Sequence, residues 1–94
     1  MFVVGGGRVR ILPVIAEGGE FFVVVELDEE WELSEVVELK LRSLGFVDNG
    51  VRDGVRIYVK KVGVNSIVLA TDLAVDLVLM IKRMQSSYNN ATKC

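Results

Sequence analysis

Histidine is absent from the chain, and cysteine and proline each occur once. The missing imidazole removes the commonest general base near neutral pH and the commonest zinc ligand. The one thiol, Cys94, cannot close an intrachain disulfide, which suits a reducing compartment. Cys/His metal clusters and Ser–His or Cys–His nucleophile pairs are thereby excluded. A phosphate loop is lacking too: Gly5-Gly6-Gly7 precedes a strand-like segment, whereas such a loop joins a strand to a helix N-terminus. The acidic run Glu26, Asp28, Glu29, Glu30 and Glu32 lacks the glycine-centred spacing of a calcium loop and reads as a solvated helix start. Catalysis, a metal and a cofactor are therefore not expected.

Long uninterrupted apolar runs are missing as well. The longest, Val64 to Ile81, is broken by Asn65, Ser66, Thr71, Asp72 and Asp76, whereas a membrane-spanning helix needs about 20 mostly apolar residues. The opening residues, MFVVGGGRVR, show no basic region followed by an apolar core, so a cytoplasmic setting without membrane contact is expected.

What the chain has in quantity is apolar surface. Hydrophobic residues make up 51% of 94 residues and mean hydropathy is +0.42, high for a size class with much surface to cover. Part of that excess is expected to lie where another subunit covers it. Net charge is only −2, but it is segregated. Nine acidic and no basic residues lie between Glu17 and Glu38; six basic residues face two acidic ones between Lys40 and Lys61. Steering towards bulk nucleic acid is weak at this net charge, although a local basic face remains available.

Periodicity predicts the elements. Arg8 to Ile15 alternates as a strand, placed at an edge by Pro13. Glu17-Gly18-Gly19-Glu20 is a turn, and Phe21 to Leu27 a β-branched, aromatic second strand. Asp28 is the expected cap of a helix whose apolar stripe is Trp31, Leu33, Val36, Val37, Leu41 and Leu44, ended by Gly45. Residues 45–54 read as a loop. Val55 to Lys61 alternates as a third strand, Ile67 to Ala70 reads as a short fourth, and Thr71 or Asp72 opens a helix to Ser87. The expected fold class is α+β: β-β-α-β-β-α, an antiparallel sheet with two helices packed on one face. The expected divisions are 1–7 as a flexible segment, 8–87 as one domain and 88–94 as a polar tail.

Two constellations bear on function. From Leu73 to Ile81 only Asp76 is polar, so the final helix is apolar on more than the one side a sheet would cover. Leu73, Leu77, Met80, Ile81 and Met84 are the expected dimer or partner interface. The second group is Arg52, Arg56, Tyr58, Lys60 and Lys61. Alternation puts Arg56, Tyr58 and Lys60 on one strand face, a cation–aromatic–cation row able to contact RNA or a partner.

A helix ending in Leu44-Gly45, a charged loop, the strand Val55 to Lys61 and then Ile67-Val68-Leu69-Ala70-Thr71-Asp72-Leu73 leading into a long apolar helix resembles a known layout. It is similar, over roughly Phe21 to Tyr88, to the small dimerising subunit of the KEOPS complex, which installs threonylcarbamoyl on transfer-RNA adenosine. The resemblance implies a non-catalytic accessory subunit that pairs with a second copy or a paralogue. It also implies docking on the ATP-binding catalytic subunit and a contribution to holding transfer RNA. With Ala70 and Asp72 placed on the family motif, Asp76-Leu77 and Ile81-Lys82 stand where that family has leucine-arginine and asparagine-serine pairs. The role of that arginine is therefore not carried over. Two other readings stand beside this one: a stand-alone nucleic-acid-binding module using the basic sheet face, and a regulatory domain binding a small molecule between protomers.

Overall fold

The computed structural model describes residues 1–64 and 66–91. It is an α+β fold: a five-stranded antiparallel sheet with two helices on one face. The strands are β1 (Phe2–Val4), β2 (Val9–Ile15), β3 (Glu20–Asp28), β4 (Val47–Arg52) and β5 (Val55–Val64), in spatial order β1-β2-β3-β5-β4. The helices are α1 (Ser34–Ser43) and α2 (Ile67–Ala91). Strand β3 is central, and Phe21, Val23, Val25 and Leu27 on its helix-facing side are buried. Facing them from α2 are Ala70, Ala74, Leu77 and Ile81, all buried. The two alanines let the first half of α2 approach the strands closely, while Leu77 and Ile81 fill the space further along. From α1, Val37 and Leu41 complete the core at full burial.

Several elements differ from the sequence expectation, each for a local reason. Residues 1–7 are not a loose segment. Phe2–Val4 adds an edge strand in register Phe2–Ile11 and Val4–Val9, and the glycines form its return turn. Gly5 has φ +65°, and a Cβ there would come within 3.1 Å of the Trp31 ring, so the turn requires glycine twice over. The strand β4 occupies part of the expected loop: Asp48-Asn49-Gly50 is a bulge in that strand, and the hairpin turn is Asp53-Gly54. Asp28 ends β3, and α1 begins six residues later at Ser34. Its carboxylate accepts the Glu30 N–H at 2.9 Å and the Arg8 guanidinium at 2.7 Å instead of capping a helix.

Ile67 to Ala70, the expected fourth strand, is the first turn of α2, closed by the Ala70 N–H donating to the Ser66 carbonyl at 2.9 Å. Ala70 at the end of this turn is buried against the core, a position that the helix provides. Tertiary context overrides the β-branched propensity. At the other end α2 continues through Tyr88 to Ala91, which replaces part of the expected frayed tail. Residues 92–94, and with them the Cys94 thiol, lie outside the described residues.

The division of α2 into a covered and an uncovered side is measurable. Leu77→Ala should lower unfolding stability by about 2–5 kcal/mol, the range for truncating a buried leucine. Leu79→Ala, on the outer side at 47% exposure, should stay within about 0.5 kcal/mol. Urea denaturation of the two variants beside the parent chain makes the comparison.

Candidate functional site

Three surfaces compete for the functional role: the outside of the helix layer, the basic row of β5, and the sheet face that no helix covers.

On α2, the five residues expected to form an interface divide between two roles. Leu77 and Ile81 are the chain's own core, at 1% and 0% exposure, against the sheet. Leu73, Met80 and Met84 are half-buried along its flanks. Among the side chains that do reach outward are Val68, Val75 and Leu79, at 67%, 40% and 47% exposure. They recur at seven- and four-residue spacing, which makes one outer stripe. Beside them on α1, Val36 and Leu39 are exposed. A groove of about 510 Å3 runs between the helices, lined by Lys40, Asp76, Leu79, Met80, Arg83 and Met84. Aspartate at position 81 would therefore disrupt the fold rather than an assembly.

The basic row turns the other way from the expectation. Tyr58 pairs with Val25, Lys60 with Val23 and Arg56 with Leu27. Directly paired residues share a sheet face, so all three point towards the helices. Tyr58 is fully buried. The Lys60 ammonium donates to the Leu44 carbonyl at the end of α1, and near it the left-handed Gly45 leaves room for the lysine stem. The Arg56 guanidinium joins three elements: Glu29 after β3 at 2.6 Å, Glu38 of α1 at 3.5 Å, and Asp48 of β4. Arg42 of α1 approaches Asp48 from above at 3.9 Å. The arrangement is a clasp that fastens α1 over β5 and β4. Of the five residues assigned to an RNA or partner contact, Arg52 and Lys61 remain exposed, and Lys61 lies 3.1 Å from Glu20 on the opposite sheet face.

Tyr58 Oη is buried without a well-formed hydrogen bond, although the Arg42 guanidinium lies near it. The Asp48 carboxyl is held below the ordinary carboxylate range, first by the Gly50 N–H it accepts at 2.9 Å and then by Arg56. Asp28 is lowered likewise, first by Arg8 and then by the Glu30 N–H. At the far end of α2, the Glu32 carboxylate hydrogen-bonds Tyr88 and raises its phenol pKa. The acidic run is thus spent on fastening the fold: Glu26 pairs with Arg10 at 2.8 Å, Asp28 with Arg8, and Glu29 with Arg56.

The uncovered sheet face holds the residues that alternation alone would assign to the core. Leu12, Val24, Val59 and Val47 are in mutual register across β2, β3, β5 and β4, which gives one transverse apolar row. Val14 and Phe22 extend it on one side and Ile57 on the other. Ion pairs bound it at both ends: Arg8–Asp28 and Arg10–Glu26 at one, Lys61–Glu20 at the other. Of these residues only Lys61 is a site candidate from the sequence; the apolar row is not. The signal was present in β3, where both alternating sets, Phe22–Val24 and Phe21–Val23–Val25–Leu27, are apolar.

Comparison with known proteins adds no relative: no family model matches the chain, and no curated protein or solved structure matches it. Among the described residues no helix is long and apolar enough to cross a membrane.

The clasp makes two predictions. Tyr58→Phe should leave stability unchanged or slightly raised, because the hydroxyl it removes has no well-formed bond, whereas Tyr58→Ala should cost about 3–5 kcal/mol. Secondly, Asp48 and Asp28 have folded pKa values below their unfolded ones. Their contribution is present above the ordinary value of about 3.9 and is lost as pH falls through the lower folded value. The denaturation midpoint should hold from neutrality to about pH 5 and drop below about pH 4. Asp48→Asn should make that acid limb shallower.

Proposed function

We propose that the chain is a non-catalytic, dimerising accessory subunit of a transfer-RNA modification assembly of the KEOPS kind, and that it acts by protein–protein association. The observation that carries this reading is the helix layer. Val36 and Leu39 on α1 and Val75 and Leu79 on α2 are exposed, and Leu79, Met80 and Met84 of α2 line a groove that also takes in Lys40 of α1. The apolar α2 bank of the groove suits the apolar face of an amphipathic partner helix, and methionine adapts to an imperfect fit. Lys40 and Arg83 outnumber Asp76 on the lining, so a partner helix with acidic flanks is favoured. The element order from α1 onward supports the family comparison only in part. A helix, a strand and a long final helix follow in that order, but Ile67–Ala70 belongs to the helix and β4 precedes β5.

Direct nucleic-acid binding by the β5 row is the weaker reading, because Arg56 and Lys60 are engaged with α1 and its neighbours and Tyr58 is buried.

The test is calorimetric titration of the chain with the ATP-binding catalytic subunit of a KEOPS-like complex from the same source. Binding should occur and should change little with salt, since an apolar contact is screened little. Leu39→Glu with Leu79→Glu should weaken it by about tenfold or more while circular dichroism stays unchanged. Absence of binding would overturn the reading. A steep salt-dependent affinity for transfer RNA alone would favour the nucleic-acid module instead.

A further inference from the structure

We infer that α1 is a detachable cover: it opens and melts as a unit while the sheet and α2 stay folded, and the Arg56 clasp sets how often it does so. The opening itself is independent of the association reading; only its effect on the groove rests on that reading.

The two helices are held by different means. Helix α2 lies close to β1, β2 and β3 and buries Ala70, Ala74, Leu77 and Ile81. Among the described residues α1 comes as close to none of the strands, and Val37 and Leu41 are its only buried apolar side chains. The cause lies beneath it. Arg56, Tyr58 and Lys60 are long side chains on the helix side of β5, and they hold the α1 backbone off the sheet where the alanines of α2 admit close approach. Much of the attachment is therefore ionic. Glu29, Glu38 and Asp48 share the Arg56 guanidinium, and the Leu44 carbonyl accepts from the Lys60 ammonium. The Arg56 and Glu29 side chains keep 27% and 35% of their surface exposed, so water and salt reach the clasp and weaken it.

Released, α1 has little to keep it helical. It is ten residues long, and Leu33 at its N-cap supplies no side-chain hydrogen bond; isolated helices shorter than about 12–15 residues are marginal in water. Its two ends are pinned by contrast. Trp31 and Leu33 before it and Phe46 after it are buried, and Gly45 at φ +92° is the left-handed joint between α1 and Phe46. The helix can thus come away between two fixed points. Closure also leaves the Tyr58 hydroxyl buried without a well-formed bond. Opening returns that hydroxyl to water, which offsets part of the lost packing of Val37 and Leu41. Few buried contacts and a solvated fastening are the marks of a segment that opens below the global unfolding limit.

Opening has two consequences. It takes Lys40 away from the groove on α2, so the proposed docking site is complete only in the closed chain. It also uncovers Arg56, Tyr58 and Lys60, whose charge the closed chain answers with its own carboxylates and carbonyl. The closed contact therefore shields that row from anions in solution.

The experiment is hydrogen exchange read by mass spectrometry on the chain alone at neutral pH, with rates corrected for intrinsic exchange. Amides of residues 38–43 should exchange at least about tenfold faster than those of 77–81, as one correlated group. Ile81→Val should speed 77–81 by about threefold or more and leave 38–43 unchanged, because α2 is intact in both the closed and the open chain. Arg56→Met keeps an unbranched apolar stem without the charge. It should speed 38–43 by about threefold or more, since the clasp exists only in the closed chain. Should Arg56→Met fail to fold, Glu38→Gln removes one partner of the clasp from α1 itself and should act in the same direction. Equal exchange of the two helices in the parent chain overturns the inference. So does Ile81→Val speeding both groups alike, or a folded clasp variant that leaves 38–43 unchanged. Because the catalytic subunit is absent from this measurement, failure here is distinguishable from failure of the accessory-subunit reading.

Discussion

Pairing of β3 with β5 runs over nine positions, from Glu20–Val64 to Asp28–Val55, with one irregularity at Phe21/Phe22. That register decides which side of each strand meets the helices. β3 is apolar on both sides, so it can serve as the middle strand of either orientation. Once Val23, Val25 and Leu27 face the helices, β5 must present Lys60, Tyr58 and Arg56 beside them. A slip of one residue would exchange every side chain between the two faces. The clasp around Arg56, the burial of Tyr58 and the apolar outer row all follow from this single alignment.

The consequence is an inversion of the usual two-layer arrangement on one half of the sheet. Over β1, β2 and β3 the helix-facing side is plainly hydrophobic, and α2 lies on it. Over β5 the helix-facing side carries the cations Arg56 and Lys60, and over β4 it carries Asp48. There α1 attaches through Val37, Leu41 and the long stems of Arg56 and Lys60, whose charged ends reach Glu29, Glu38, Asp48 and the Leu44 carbonyl. Such side chains bury their methylenes while keeping the head groups partnered or wet. A half-polar contact of this kind holds α1 in place but leaves Val55, Ile57 and Val59 on the other side of β5. Over β5 the outer face is apolar because the inner one is not.

The fold class, the first hairpin and the existence of both helices were legible in the sequence, because β2, β3, α1 and α2 each have a strong local period. Three things were not. The strand β4 was hidden behind Asp48-Asn49-Gly50, which has turn chemistry but sits in a bulge. Ile67–Ala70 has strand composition yet starts α2, where its last residue, Ala70, is buried in the core. The orientation of β5 was hidden most completely. Alternation of Val55, Ile57 and Val59 with Arg56, Tyr58 and Lys60 shows that the two faces differ; which one turns inward depends on a register fixed by a partner strand. The candidate interface on α2 was divided for a related reason: a helix apolar nearly all round does not reveal which of its sides the sheet takes. Leu77 and Ile81 went inward, and Val75 and Leu79 were left outside.

The two uncovered surfaces differ in kind, and the difference bears on what each can select. The sheet face is broad, stiff and made largely of β-branched residues with few alternative rotamers, so it favours one flat partner that matches it row for row. The helix layer is ridged, lined by methionine and leucine, and edged by Lys40 and Arg83. It can adapt to a helix of another sequence, with charge to bias the choice. A chain using the first surface for its own copy and the second for a different protein would present two outward helix layers related by symmetry. Its valency towards that protein would then be two, and bivalent display raises avidity without any new contact.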